Sequence, residues 1–130
     1  MNRNYKLTFI IDDDPVFVLL FKKILLKLGQ FETIQNFENG QLGLAALIEK
    51  FNTNEPFPDI IFLDINMPIM DGWEFLKALE KYPFKDDLTI YMVSSSIDPT
   101  EIKKSKKFKT VKRFISKPIS ANDFLKNLNK

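Results

Sequence analysis

Apolar positions along this chain come in short runs and helical stripes that alternate from end to end. Residues 6–11 are apolar and β-branched, which predicts a strand, and they run straight into Asp12-Asp13-Asp14-Pro15. Residues 16–28 predict a helix with a polar stripe of Lys22, Lys23 and Lys27. Asp14 is placed to cap it, Pro15 to take its first position and Gly29 to close it. Residues 31–37 predict a weaker strand near a sheet edge, with Phe31, Thr33, Gln35 and Phe37 on one side and Ile34 on the other. A second helix over 40–51 repeats Leu44, Leu47, Ile48 and Phe51 at helical spacing, and Pro56-Phe57-Pro58 breaks it. The run 59–63 predicts a strand covered on both faces, with a solvated Asp59 at its start and Asp64 at its end. A loop with Pro68 and Asp71-Gly72 leads to a helix over 73–82, which Pro83 stops. Then come a strand over 88–93 ending at Ser94, a Lys-rich helix over 99–107, and a strand over 111–115 ending at Ser116-Lys117-Pro118. A helix over 121–128, capped by Ser120, is the last element.

Five strands alternating with five helices imply a parallel sheet with helices on both faces. At 130 residues the chain reads as a single domain, 1–130, without repeats, long linkers or an output domain. It contains neither Cys nor His. That excludes disulfides, thiolate metal sites, a Ser-His-Asp triad and a phosphohistidine of its own. No apolar run reaches the ~18–20 residues that a membrane span needs. The first residues carry no long apolar stretch, so no secretory signal is expected and the cytoplasm is the expected compartment. The net charge of +2 hides an asymmetry. Residues 1–99 carry nine Lys/Arg against fifteen Asp/Glu, whereas residues 100–130 carry ten against two. A solvated lysine face would explain the late excess, and so would a surface for an acidic partner.

In an open α/β sheet, ligands bind beyond the carboxyl ends of the strands, near the point where strand order reverses. Asp12 and Asp13 follow the first strand, Asp64 the third, Ser94 the fourth and Lys117 the fifth. Three clustered carboxylates repel one another, and a hard divalent cation such as Mg²⁺ relieves that repulsion. Lys117 can pair with a carboxylate or with a phosphoryl oxygen, and Ser94 can donate to another. One carboxylate is then available as a nucleophile, so the residues suggest Mg²⁺-assisted phosphorylation of an Asp.

The motifs Ile11-Asp12-Asp13-Asp14-Pro15, Leu63-Asp64-Ile65-Asn66-Met67-Pro68-Ile69-Met70-Asp71-Gly72, Val93-Ser94-Ser95 and Ser116-Lys117-Pro118 stand in order at those strand ends. On them the chain resembles a response regulator receiver domain of two-component signalling, over essentially its whole length. The resemblance implies a (βα)5 doubly wound, flavodoxin-like fold with strand order 2-1-3-4-5. It implies Asp64 as phosphoacceptor, with Mg²⁺ held by Asp13, by Asp64, by the backbone carbonyl of Asn66 and by Asp12 through bound water. Lys117 would contact the phosphoryl group, while Ser94 and Phe114 would be the switching pair. A cis Lys117–Pro118 bond belongs to the same expectation. So do a histidine kinase or histidine phosphotransfer protein as donor, and a downstream protein effector bound through the fourth helix, fifth strand and fifth helix. The chain departs from the family in carrying Ser94 where Thr is commoner. It also lacks the Gly-Ala often found before the fifth strand.

Other residues have plainer roles. Asp14 reads as a helix cap, Asp71-Gly72 as turn chemistry, and Met67 and Met70 as packing. Trp73 reads as cover for the contact of the third helix with the sheet. Ser96, two positions past the hydroxyl, could tune water access to the phosphoryl group. Two other functions compete. A haloacid dehalogenase-like phosphatase also uses an Mg²⁺-bound Asp, but normally carries a second Asp two residues later, where this chain has Asn66. A nucleic-acid binder would need more net charge or a reading motif. The expected behaviour is therefore that of a switch which accepts a phosphoryl group and loses it slowly, not of a turnover enzyme. Neither nucleic acid nor membrane is an expected partner.

Overall fold

A computed structural model describes residues 4–95 and 98–128. Five parallel strands form one sheet in the order β2-β1-β3-β4-β5: β1 (Tyr5–Ile11), β2 (Phe31–Phe37), β3 (Ile60–Leu63), β4 (Ile90–Ser94) and β5 (Val111–Ser116). The helices are α1 (Pro15–Leu28), α2 (Gly40–Asn52), α3 (Gly72–Leu79), α4 (Pro99–Ser105) and α5 (Ala121–Leu128). This is the predicted doubly wound fold with the predicted strand order.

Alternation along the strands builds two cores. Phe9 and Ile11 of β1, Ile61 and Leu63 of β3, and Ile90 and Met92 of β4 face α2 and α3. Ile10, Ile60, Phe62, Tyr91 and Val93 face α1 and α5. Phe21, Phe62 and Phe124, all at most 1% exposed, form the aromatic centre of the second core. The Phe21 ring lies edge-on to Phe62 at 4.8 Å and to Phe124 at 5.3 Å. Each buried ring removes roughly 150–250 Å² from water, so this triad is a main anchor for α1 and α5.

Local signals position α1 as expected. The Asp14 carboxylate accepts from the Val16 and Phe17 N–H groups, Pro15 takes the first turn, and Gly29 ends the helix at φ 73°. The Ser120 hydroxyl accepts from Asp123 N–H at the start of α5.

Four expectations need correction. Phe31 does not share a face with Phe37: it stacks on its register partner Tyr5 at 4.7 Å and joins the α1/α5 core with Ile34, whereas Phe37 packs on the other side. Period-two alternation fails where the first residues of β1 and β2 turn together into that core. The third helix ends at Leu79, its last core residue, rather than at 82. Pro83 disfavours helical geometry at Tyr82, and the chain tightens into a 3₁₀ turn (Pro83–Asp87) that buries Phe84 and takes in Leu88 as its cap. The fourth helix ends at Ser105, whose hydroxyl donates to Ile102 O at 2.6 Å. The chain turns there so that Phe108 can stack near Trp73. Asp59 is not simply solvated: its Oδ2 accepts from the Lys6 and Leu7 N–H groups at 2.7 and 3.0 Å, tying the start of β3 to β1.

Candidate phosphoryl-acceptor and metal site

The sheet's crossover direction reverses around β1, and β1 lies beside β3 with Ile11 paired to Leu63. The Asp64 N–H donates to Ile11 O at 2.9 Å, and the Asp12 N–H donates to Phe37 O at 2.9 Å. The carboxylates of Asp12 and Asp64 therefore leave neighbouring strand ends side by side. The Asn36 amide donates to Ile10 O at 2.8 Å and pins the last turn of β1 from the neighbouring strand. Nothing in the alternation of β2 marked Asn36 for this role.

Asp12, Asp13 and Asp64 place carboxylate oxygens within 4.8 Å of one another. Asp12 and Asp64 are buried, and Asp13 is exposed. Two backbone donors orient the buried pair: Asp14 N–H to Asp12 Oδ1 at 2.9 Å, and Ile65 N–H to Asp64 Oδ1 at 2.8 Å. The other oxygens face Lys117, whose Nζ is 2.9 Å from Asp12 Oδ2 and 3.7 Å from Asp64 Oδ2. Lys117 also rests on the face of Phe17, 4.2 Å from the ring centroid. Phe17 is thus a further residue of the site, hidden from sequence reading because its position in α1 looks like ordinary core.

Burial pushes the Asp64 carboxyl up to about 6, the negative charge of Asp12 adds to the rise, and Lys117 pulls the other way. Asp12 is also raised by burial, against its hydrogen bond to Lys117. One ammonium shared between two buried carboxylates does not offset their loss of water. A cluster of hard oxygen donors with this uncompensated charge fits a Mg²⁺-sized cation.

Lys117 is held from behind, since its N–H donates to Ser94 O at 2.8 Å. Ser94 is fully buried at the end of β4 and pairs in register with Ser116. Phe114 lies two positions back on β5, opposite Met92, half-buried against the α2/α3 core. The Lys117–Pro118 peptide is cis, as expected. Asn66 is exposed, Ser95 lies in an exposed bend, and Ser96 falls outside the described residues.

The loop from β3 to α3 carries a second constraint. Asp71 and Glu74 form a reciprocal capping box, which is more specific than the turn expected there. Gly72 begins α3 so close to β3 that an added Cβ would lie 2.4 Å from Asp64 O. Met67 and Met70 pack against the α2/α3 core as expected. Ile69 between them is 73% exposed at φ 71°, a left-handed conformation that β-branched residues rarely take. Trp73 stacks towards Phe108 and carries Lys104 at 4.6 Å, so it reaches towards the α4–β5 connection as well as the core.

A family model described as response regulator receiver domain matches residues 8–129. The chemotaxis protein CheY of Listeria monocytogenes is 33% identical over 124 residues, covering 95% of this chain and 97% of that protein. The structure of a two-component response regulator from Cytophaga hutchinsonii superposes with a TM-score of 0.86 at 30% identity, over 98% of this chain and 100% of the other. A CheX-CheY-BeF3-Mg complex from Borrelia burgdorferi matches with a TM-score of 0.77 at 27% identity, over 95% of this chain and 86% of the other. Among the described residues, no helix is long and apolar enough to cross a membrane.

Proposed function

We propose that this chain, which belongs to the response regulator receiver family of two-component signalling, accepts a phosphoryl group on Asp64 from a partner's phosphohistidine and relays the signal by changing a protein-binding surface. Receiver domains are signalling switches. The observation that carries the finer reading is the convergence of Asp12, Asp13 and Asp64 within 4.8 Å beside a Lys117 ammonium shared between two of them.

Asp64 Oδ1 is held by the Ile65 N–H, so Oδ2, on the Lys117 side, is the attacking oxygen. As its bond to phosphorus forms, the phosphorus–nitrogen bond of the donor breaks and the imidazole leaves. Lys117 then moves from Asp12 towards the phosphoryl oxygens and takes up their charge. Mg²⁺, held by Asp12, Asp13, Asp64 and the Asn66 carbonyl, would supply the remaining charge neutralisation. Ser94 turns its hydroxyl to the phosphoryl group, and Phe114 follows into the space behind it. α1 leads away from the site with exposed Val16, Leu19 and Leu20, an apolar landing surface for the donor. The changed surface is that of α4, β5 and α5, read by a protein effector. A switch acting in the cytoplasm is the setting this reading supports.

The exposed Asn66 stands where a haloacid dehalogenase-like phosphatase carries its acid-and-base Asp, which supports a switch over that kind of turnover enzyme. The test is intact mass after incubation with acetyl phosphate and Mg²⁺. One added phosphoryl group is expected, absent without the metal and absent in Asp64→Asn. An adduct that persists in Asp64→Asn would overturn the assignment.

A further inference from the structure

We propose that the groove at the amino edge of the sheet, between the end of α3 and the α4–β5 turn, binds an acidic segment of a partner protein carrying one apolar anchor. The groove has a volume of about 280 Å³. Its floor is apolar, with the half-buried Phe108 lying beside the buried Leu76 and Leu79, and its rim carries Lys85, Lys107 and Lys109. Among the described residues, none of Lys85, Lys107 and Lys109 takes part in an ion pair, so no carboxylate neutralises these three ammonium groups. Glu80 is the one acid lining the groove, and Lys85 reaches its backbone carbonyl at 3.4 Å, not its carboxylate. The exposed Lys103, Lys104, Lys106 and Lys112 flank the rim lysines along the chain.

Charge and shape select the partner together. Exposed ion pairs contribute little each, so affinity must come from an apolar side chain on the floor, with carboxylates setting orientation and choice. A nucleic-acid backbone would use the lysines and leave the floor unfilled. The groove lies at the amino ends of the strands, across the sheet from Asp64, so the proposal stands apart from the phosphorylation reading.

The test is fluorescence anisotropy with a labelled acidic peptide of alternating Glu and Gly around one central Phe. Controls are the same peptide with Phe→Ser, its Lys-for-Glu counterpart, and a labelled DNA duplex. Saturable binding is expected, weakened about tenfold by the double charge reversal Lys107→Glu with Lys109→Glu, and several-fold by Phe→Ser in the peptide. Asp64→Asn should bind equally. Three results would overturn the proposal: no binding up to about 1 mM peptide, binding indifferent to the charge reversal, or DNA bound more tightly than the peptide through the same lysines. Lys107 and Lys109 are both exposed, so the double variant retains its core, and its far-ultraviolet circular dichroism checks this.

Discussion

Replacing Asp64 by Asn should stabilise the metal-free protein near neutral pH, although it removes the proposed phosphoacceptor. The reason is that the folded state holds this carboxyl at about 6, against an ordinary 3.8, chiefly through burial and then through the charge of Asp12. At about 1.36 kcal/mol per tenfold change in proton affinity, that gap corresponds to at most about 3 kcal/mol. Solvent reaches the site at the exposed Asp13, and screening reduces the figure to about 1–2 kcal/mol. The sign follows from proton linkage. A carboxyl raised in the folded state favours folding fully below its unfolded value, and that contribution is lost as pH rises through about 6. Asn keeps the shape, and its Oδ1 can still accept from the Ile65 N–H. Urea unfolding in the presence of a chelator should therefore show Asp64→Asn more stable than wild type by about 1–2 kcal/mol at pH ~7.5, with the advantage gone by pH ~4. Saturating Mg²⁺ should shrink or reverse the gap, because only the wild type retains the full ligand set. A variant less stable than wild type at pH ~7.5, or an advantage that ignores pH, would show that pairing with Lys117 outweighs burial, and the electrostatic argument would fall.

Asp13→Asn should leave the fold intact or slightly more stable while abolishing the rise in melting temperature on adding Mg²⁺; differential scanning calorimetry reads both, and an unfolded variant would contradict the idea of repulsion. Gly72→Ala drives a methyl to 2.4 Å from Asp64 O, so it should cost about 1–3 kcal/mol or more in urea unfolding and slow phosphorylation of Asp64. Ile69→Asn should gain about 1 kcal/mol, since Asn tolerates φ 71° and the side chain lost is largely exposed; an equal or lower melting temperature would count against backbone strain there. Hydrogen exchange should be faster in α4 than in β1 and β3, because α4 buries Ser105 alone of its seven residues; equal protection would argue against α4 as the mobile element.

Much of this was legible in the chain because its signals are local. Asp14-Pro15 and Gly29 mark the ends of α1 by backbone requirements that any fold must meet. The continuous apolar run before Asp64 needs cover on both faces, which only a central strand obtains. The parallel topology then forces Asp12, Asp64, Ser94 and Lys117 to one edge. What escaped depends on contacts distant in sequence. Tyr5 stacks on Phe31, 26 positions away along the chain, and overrides the alternation of both strands. Asp59 caps the start of β1 across 53 residues. Phe108 draws the end of α4 towards Trp73, so a lysine-rich stretch with good helical propensity stops early. Phe17 joined the site only once Lys117 was seen lying on its ring.

The two halves of the site are supported differently, and the difference suits a switch. Asp12 and Asp64 stand on central strands buried on both faces, locked by cross-strand hydrogen bonds and by α3 passing within a Cβ's width of Asp64. In the proposed reaction a phosphoryl group arriving there meets carboxylates already in place, and little of its interaction energy is spent on rearranging them. Ser94, Lys117 and Phe114 lie towards the β5 edge, where β5 pairs with β4 alone and Lys117 N–H donates to Ser94 O just past the ladder. Phe114 there is only half-buried, and α4 contributes no large buried side chain. Shifting α4 and turning the Phe114 ring breaks few apolar contacts, so in the proposed switch a modest free energy released at Asp64 suffices to move them. Rigidity at the acceptor and weak anchoring at the α4–β5 surface follow from where the sequence places its apolar residues, and the proposed signal travels from the first to the second.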